Sequence, residues 1–213
     1  MKCDKKNLLL YAVTDRSWLK GETLYSQAEK ALKGGVTFMQ LREKALDEVS
    51  FLEEARAIRE LCARYQAPFV INDNVDIALA VNADGVHVGQ SDMQAADARK
   101  KLGPDKIIGV SAQTVEQALL AEKQGADYLG VGAVFSTSTK PDAAEVSIDT
   151  LKEICGAVKI PVVAIGGISP ENVKELKGSN VAGAAVVSAI FAAADIEKAA
   201  RDLKEQLEGV VEQ

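Results

Sequence analysis

One histidine and three cysteines stand in 213 residues, and this scarcity removes several classes of chemistry. His87 sits in an apolar run, Val86-His87-Val88, and reads as a packed or hydrogen-bonded core residue. No Ser/His/Asp or Cys/His nucleophile set can be assembled around it, so chemistry by electrostatics is expected rather than covalent catalysis. Cys3, Cys62 and Cys155 are odd in number and widely spaced. They fit neither a disulfide framework nor a zinc site, and read as buried thiols of a cytoplasmic protein. Long apolar runs are missing too, so no segment is expected to span a membrane. The basic start, Met1 to Lys6, leads only into the short run Leu8–Val13. That run ends in Thr14-Asp15-Arg16 rather than a small-residue cleavage site, and is read as a strand, not a signal peptide. Basic residues are outnumbered, 25 Lys and Arg against 31 Asp and Glu, for a net charge of -6. This argues against a nucleic-acid partner. No low-complexity linker divides the chain, so residues 1–213 are expected to form a single domain.

What the chain does have is a repeated pattern. Eight short apolar runs recur with a period of about 27 residues: Leu8–Val13, Phe38–Met39, Phe69–Ile71, Gly85–Val88, Ile107–Val110, Tyr128–Val131, Val162–Ile165 and Ala184–Val187. Polar clusters follow them, and helix-like stretches lie between. The runs are rich in Val, Ile and Leu with little alternation, as expected of parallel strands covered on both faces. Eight strand-then-helix units predict a (β/α)8 TIM barrel, whose active site lies at the C-terminal rim of the strands. A doubly wound open sheet would place a Gly-x-Gly loop after the first strand, where this chain has Thr14-Asp15-Arg16.

Helix boundaries are readable as well. Asp47 precedes Phe51, Leu52, Ala55, Ile58 and Cys62, which share one helical face. Thr114-Val115-Glu116-Gln117 fits a capping box. Ser169-Pro170 reads as an N-cap followed by proline at the first helical position. Gly34-Gly35, Gly125 and Gly178 read as helix ends. Residues 135–147 form the longest stretch without clear structure, a candidate lid.

On the rim, Gly166-Gly167 follows the seventh strand and Ser188 the eighth, where many such barrels bind a phosphate. The competing reading of the glycines is a tight turn alone. Gln40, Arg42 and Lys44 alternate, so they can project together while Leu41 faces away. They suit a di- or triphosphate, or else a surface salt-bridge cluster with Glu43. Asp73 and Asp92 follow strands three and four. Together they suit a magnesium ion holding a pyrophosphate; singly, each reads as a cap, for the helices at 75–81 and 95–102. Lys140, within Ser136-Thr137-Ser138-Thr139-Lys140-Pro141, can close over phosphates or belong to a solvated linker.

Tyr11-Ala12-Val13-Thr14-Asp15, Gln40-Leu41-Arg42-Glu43-Lys44, Ile71-Asn72-Asp73, Asp84 to Met93, Gly125 to Gly132, Thr137-Ser138-Thr139-Lys140 and Ala164-Ile165-Gly166-Gly167-Ile168 resemble the thiamine phosphate synthase family. The match runs in family order from Tyr11 to about Ser188. The resemblance implies a TIM barrel that joins 4-amino-5-hydroxymethyl-2-methylpyrimidine diphosphate to a thiazole phosphate. The products are thiamine phosphate and pyrophosphate, with CO2 when the thiazole carries its carboxylate. It implies that the segment Gln40, Leu41, Arg42, Glu43, Lys44, with Asn72, Ser111 and Lys140, binds the pyrimidine diphosphate. Of these, Arg42, Lys44, Ser111 and Lys140 act in catalysis. Thr137, Ser138, Thr139, Gly167, Val187 and Ser188 are implied to bind the thiazole phosphate, and Asp73 and Asp92 one Mg2+ per chain. Partners are then small phosphorylated molecules, and a homo-oligomer is compatible with the sequence. Asn74, Gln113 and Ala133 depart from the commoner arginine, histidine and proline. A thiazole tautomerase-like isomerase on the same barrel is the alternative. It would need an acid/base residue and no magnesium pyrophosphate site.

Overall fold

The computed structural model describes residues 3–137 and 145–211. Eight parallel strands close into a barrel, each hydrogen-bonded to its sequence neighbours and β8 to β1. They are β1 Leu10–Val13, β2 Phe38–Leu41, β3 Phe69–Asn72, β4 Gly85–Val88, β5 Ile107–Ala112, β6 Tyr128–Val131, β7 Val162–Ile165 and β8 Gly183–Val186. The outer ring comprises α1 Leu24–Lys33, α2 Glu48–Arg64, α3 Val75–Ala80, α4 Ala95–Leu102, α5 Val115–Lys123, α6 Ile148–Ala157, α7 Ser188–Phe191 and α8 Ile196–Glu208. Thr23, Asp47, Asn74, Thr114, Ser147 and Asp195 cap their helices through side-chain oxygens, each satisfying a first-turn N–H.

Three expectations need correction. Leu8 belongs to a 3-10 turn, Lys5–Leu8, and the first strand starts at Leu10. No α-helix begins at Ser169-Pro170: β7 is followed by a single 3-10 turn, Val173–Leu176. Ser169 instead bends the chain, its carbonyl accepting from Asn172 and Val173. In the capping box, Gln117 Oε1 accepts from the Gln113 N–H, one residue upstream of the cap.

Two apolar layers form. Between barrel and helices pack outward residues such as Leu10, Met39, Leu41, Phe69, Ile71 and Leu129 with Ala28, Ile58, Leu151 and Leu203 of the helices. Cys62 and Cys155 lie in this layer and Cys3 in the inner one, all three buried as free thiols. Burial pushes Cys62 up to about 12, which keeps it a thiol. Inside the barrel pack Tyr11, Phe38, Val70, Ile107, Tyr128, Val163 and Ala185. Tyr11, Phe38 and Tyr128 meet with ring centroids 4.6 to 5.9 Å apart. The Tyr128 ring fits because residue 109 has no side chain: a Cβ there would lie 2.1 Å from Tyr128 Cζ. Gly109→Ala is expected to cost about 1–3 kcal/mol by overpacking, read as a lower midpoint of thermal unfolding.

Candidate active site

A cavity of about 520 Å³ opens at the C-terminal end of the strands. The inward positions of the strands form its floor, because each interior side chain is followed two residues later by one at the rim. Gln40, Asn72, His87 and Ser111 line it from β2 to β5. Arg42, Lys44, Asp73 and Asp92 stand above them, and Thr137, Gly167, Val187 and Ser188 form the opposite wall. Thus most of the residues singled out in the sequence share one cavity. Ser138, Thr139 and Lys140 lie outside the described residues.

Leu41 and Glu43 are corrections to the candidate set. Leu41 is fully buried in the layer between barrel and helices. Glu43 turns outward, where it ion-pairs with Arg16, which also holds Glu54 at 2.7 Å. Its Oε1 accepts from the N–H groups of Lys44 and Ala45 at 2.7 Å and of Leu46 at 3.2 Å. Burial opposes its ionisation, but the Ala45 amide and the Arg16 guanidinium outweigh it and hold the carboxyl below its ordinary range. Glu43 therefore staples the loop that carries Arg42 and Lys44, and is not paired with either.

Arg42 is aimed by two groups that the sequence reading left unused. Its N–H donates to Thr14 Oγ1 at 3.0 Å, and its Nη1 lies 2.9 Å from Asp15 Oδ2. Strand register supplies the signal: Val13 pairs with Gln40, so Asp15 stands beside Arg42 two residues on. Gln90 was also missed; it lines the cavity and donates to the Ser111 carbonyl at 2.6 Å.

The capping readings of the two aspartates fail. Asn74, not Asp73, caps α3, and the cap position of α4 is Gln94, which makes no side-chain cap. Asp73 adopts a φ of +60°, a left-handed conformation costing about 1 kcal/mol and typical of functional positions. Its N–H donates to the His87 carbonyl at 2.8 Å, while Lys44 Nζ and Asn72 Nδ2 donate to its carboxylate at 2.7 and 2.9 Å. Asp92 Oδ2 accepts from the Gly89 N–H at 2.9 Å. Burial first, and then the neighbouring Asp92 carboxylate, raise Asp73 above its ordinary value against the pull of Lys44. Replacing Lys44 by Met should raise it further, and Asp92→Asn should lower it, as read by carboxyl 13C shifts against pH. An unchanged Asp73 titration in both variants would show that these groups do not meet.

Two converging carboxylates, one partly desolvated, suit a divalent cation completed by substrate oxygens and water. Among the described residues no group of three or more His, Cys, Asp or Glu converges, which does not suit a structural zinc site. On the far wall, Gly166 and Gly167 have φ of +96° and +64°. A Cβ at 167 would lie 2.3 Å from the Ser136 carbonyl oxygen and 2.6 Å from that of Phe135. The glycine is thus required by the backbone of the neighbouring loop. The Gly132–Ala133 peptide bond of that loop is cis.

His87 is buried, with Nδ1 2.9 Å from the Tyr128 hydroxyl and Nε2 2.9 Å from Ser111 Oγ. Burial lowers it to about 4, so it stays neutral near pH 7. It is the hydrogen-bonded core histidine expected, and it also touches the cavity floor.

A second cavity of about 330 Å³ lies at the opposite end of the barrel, beside Arg59, Pro68, Asp84 and Ile107. There Asp84 Oδ2 accepts from the Phe69 N–H at 2.8 Å, a contact that ties a strand start. No helix among the described residues is long and apolar enough to cross a membrane.

Residues 10–190 match the family model described as thiamine monophosphate synthase. The thiamine-phosphate synthase of Clostridium tetani is 54% identical over 200 residues, 93% of this chain and 96% of the relative. That of Clostridium acetobutylicum is 54% identical over 192 residues, 90% and 91% of the two chains. The solved structure of thiamine phosphate pyrophosphorylase from Pyrococcus furiosus superposes with a TM-score of 0.91 at 42% identity, covering 98% of this chain and 99% of that one. Barrel, cavity and sequence agree, and the chain belongs to the thiamine monophosphate synthase family.

Proposed function

We propose that the chain is a thiamine-phosphate synthase, which couples 4-amino-5-hydroxymethyl-2-methylpyrimidine diphosphate to a thiazole phosphate. The observation that carries this reading is the division of the cavity. Two cations and two carboxylates stand over β2 to β4, and a glycine turn with Ser188 faces them from β7 and β8. A diphosphate fits the first wall and a monoester the second, with the neutral ring on the floor between them. The bond from the pyrimidine methylene carbon to the diphosphate oxygen breaks, and one from that carbon to the thiazole nitrogen forms. The nitrogen carries no proton, so no general base is needed.

Arg42 and Lys44 stabilise the charge that grows on the departing pyrophosphate, while Gln40, Asn72 and Ser111 hold the ring. Asp73 and Asp92 would hold one Mg2+, which when bound neutralises pyrophosphate oxygens. Gly167, Val187 and Ser188, with Thr137, receive the thiazole phosphate. Lys140, Ser138 and Thr139 complete the two phosphate sites on the strength of the sequence resemblance. The isomerase reading would leave the cation and carboxylate wall without a task.

Phosphorus NMR tests the assignment. With both substrates and Mg2+, free pyrophosphate should appear in step with loss of the pyrimidine diphosphate. The thiazole phosphate alone should remain unchanged. Rearrangement of the thiazole without the pyrimidine would favour the isomerase instead. Metal affinity should fall as pH falls through the raised Asp73 value, because protonation removes a ligand. A pH-independent affinity down to the ordinary carboxylate range, about 4, would remove Asp73 from the metal site.

A further inference from the structure

Beneath the cavity floor a chain of side-chain hydrogen bonds crosses the barrel. Gln40 Nε2 donates to the Tyr11 hydroxyl. The Tyr11 and Tyr128 hydroxyls are 2.8 Å apart, and Tyr128 is 2.9 Å from His87 Nδ1. His87 Nε2 is 2.9 Å from Ser111 Oγ. Tyr11, Tyr128 and His87 are buried, whereas the two ends, Gln40 and Ser111, both line the cavity.

The order of protons along this chain follows from satisfying each buried donor. Tyr11 accepts from Gln40, so its own proton has only the Tyr128 oxygen to go to. Tyr128 then passes its proton to His87 Nδ1. A neutral imidazole that accepts at Nδ1 carries its proton on Nε2, which donates to Ser111 Oγ. The Ser111 hydroxyl proton is left to point at the cavity. At the other end, one N–H of the Gln40 amide is committed to Tyr11, which fixes the orientation of the amide and leaves its carbonyl oxygen to accept from the cavity.

We propose that Tyr11, Tyr128 and His87 are positioning residues that lock the cavity floor into one acceptor, Gln40 Oε1, and one donor, the Ser111 hydroxyl, and so select a 4-aminopyrimidine over its 4-oxo counterpart. The aminopyrimidine offers an exocyclic N–H donor and a bare ring nitrogen acceptor, which complement this pair. The 4-oxo ring, with a carbonyl and a ring N–H, presents the reverse polarity along that edge and leaves both floor groups facing like partners. Reversing the floor would require every proton in the chain to shift together, including the imidazole tautomer. The chain thus couples two groups on different strands, β2 and β5, into one recognition unit. Gly130 leaves room for this arrangement: a Cβ there would lie 3.1 Å from His87 Cε1.

This inference rests on the proposed synthase reading for its ligand but not for its hydrogen-bond order, so two measurements separate them. His87 is the only histidine, and 15N-histidine labelling therefore gives a single pair of ring resonances. The wild-type protein should show the Nε2–H tautomer, and Tyr128→Phe, which removes the donor to Nδ1, should shift the population towards Nδ1–H. Calorimetric titration should then show wild-type preference for the 4-aminopyrimidine diphosphate over the 4-oxo analogue. In Tyr128→Phe, affinity for the amino ring should fall roughly tenfold, as for one misdirected buried hydrogen bond, and the preference should narrow. If Tyr128→Phe does not fold, Tyr11→Phe breaks the chain at the Gln40 end: the Nε2–H tautomer should persist, because Tyr128 still donates to Nδ1, while affinity for the amino ring should fall and the preference narrow. An Nδ1–H tautomer in the wild type would overturn the proposal. So would a natively folded variant that keeps wild-type affinity and preference. Wild-type protein that bound neither ring would defeat the synthase reading and the selectivity with it, while the tautomer signal would still report whether the proton order exists.

Discussion

Asp92→Asn is expected to lower turnover about a hundredfold or more, the scale for losing one preorganised electrostatic contact to a developing charge, while the fold stays intact. The substituted amide would keep an oxygen to accept from the Gly89 N–H, the backbone tie that the Asp92 side chain makes in the rim loop, so stability has little reason to change. What disappears is a negative charge beside Asp73. Asp73→Asn should behave alike for turnover, with one difference: it also deprives Lys44 of its ion-pair partner at 2.7 Å. Lys44 is exposed and this pair is worth little to stability. The check is kcat at saturating pyrimidine diphosphate and several Mg2+ concentrations, with thermal unfolding alongside. Rates like the wild type at ordinary Mg2+ would remove both carboxylates from the chemistry.

Arg42→Ala and Gly167→Val should fail in opposite ways, because they stand on opposite walls. Arg42 is held by Thr14 and Asp15, so its guanidinium is aimed before any ligand arrives. Its loss should slow pyrophosphate departure by about a thousandfold, the lower end of what an arginine contributes to phosphoryl-type leaving groups. Binding of the thiazole phosphate should change little. The converse variant acts through the backbone. A side chain at 167 would run into the carbonyls of Phe135 and Ser136 and would meet a φ that β-branched residues avoid. Gly167→Val should therefore displace the loop leading to Thr137 as well as crowd the phosphate, weakening the thiazole phosphate at least tenfold. The pyrimidine diphosphate should bind nearly as before. Calorimetric titration of each substrate into each variant, with single-turnover rates, measures both. Loss of pyrimidine binding alone in Gly167→Val would invert the map of the rim.

The barrel was legible because its signal is repetition: eight buried parallel strands each need a short apolar run, and the runs recur at a regular spacing with polar clusters behind them. What was less legible depended on partners distant in sequence. Ser169-Pro170 carries the local marks of a helix start, yet the segment before β8 forms only a 3-10 turn, Val173–Leu176. Glu43 sits between two cations in sequence, and no local rule could show that Arg16 and three backbone amides would turn it outward. Asp73 and Asp92 could be read from sequence as caps or as ligands, and the structure removes the first reading, because Asn74 and Gln94 occupy the cap positions. Tyr11 and Tyr128 read as core and are core; only closure of the barrel brings their hydroxyls into one chain with His87.

The proposed reaction needs the two walls of one cavity to hold two different phosphorylated substrates at once. Mass spectrometry of a reaction containing both substrates, run with Mg2+ and with the metal chelated, tests it most directly. Thiamine phosphate should form in amounts matching the pyrophosphate released when Mg2+ is present, and both should collapse when it is removed. Folded protein that formed no thiamine phosphate from saturating substrates with Mg2+ would contradict it.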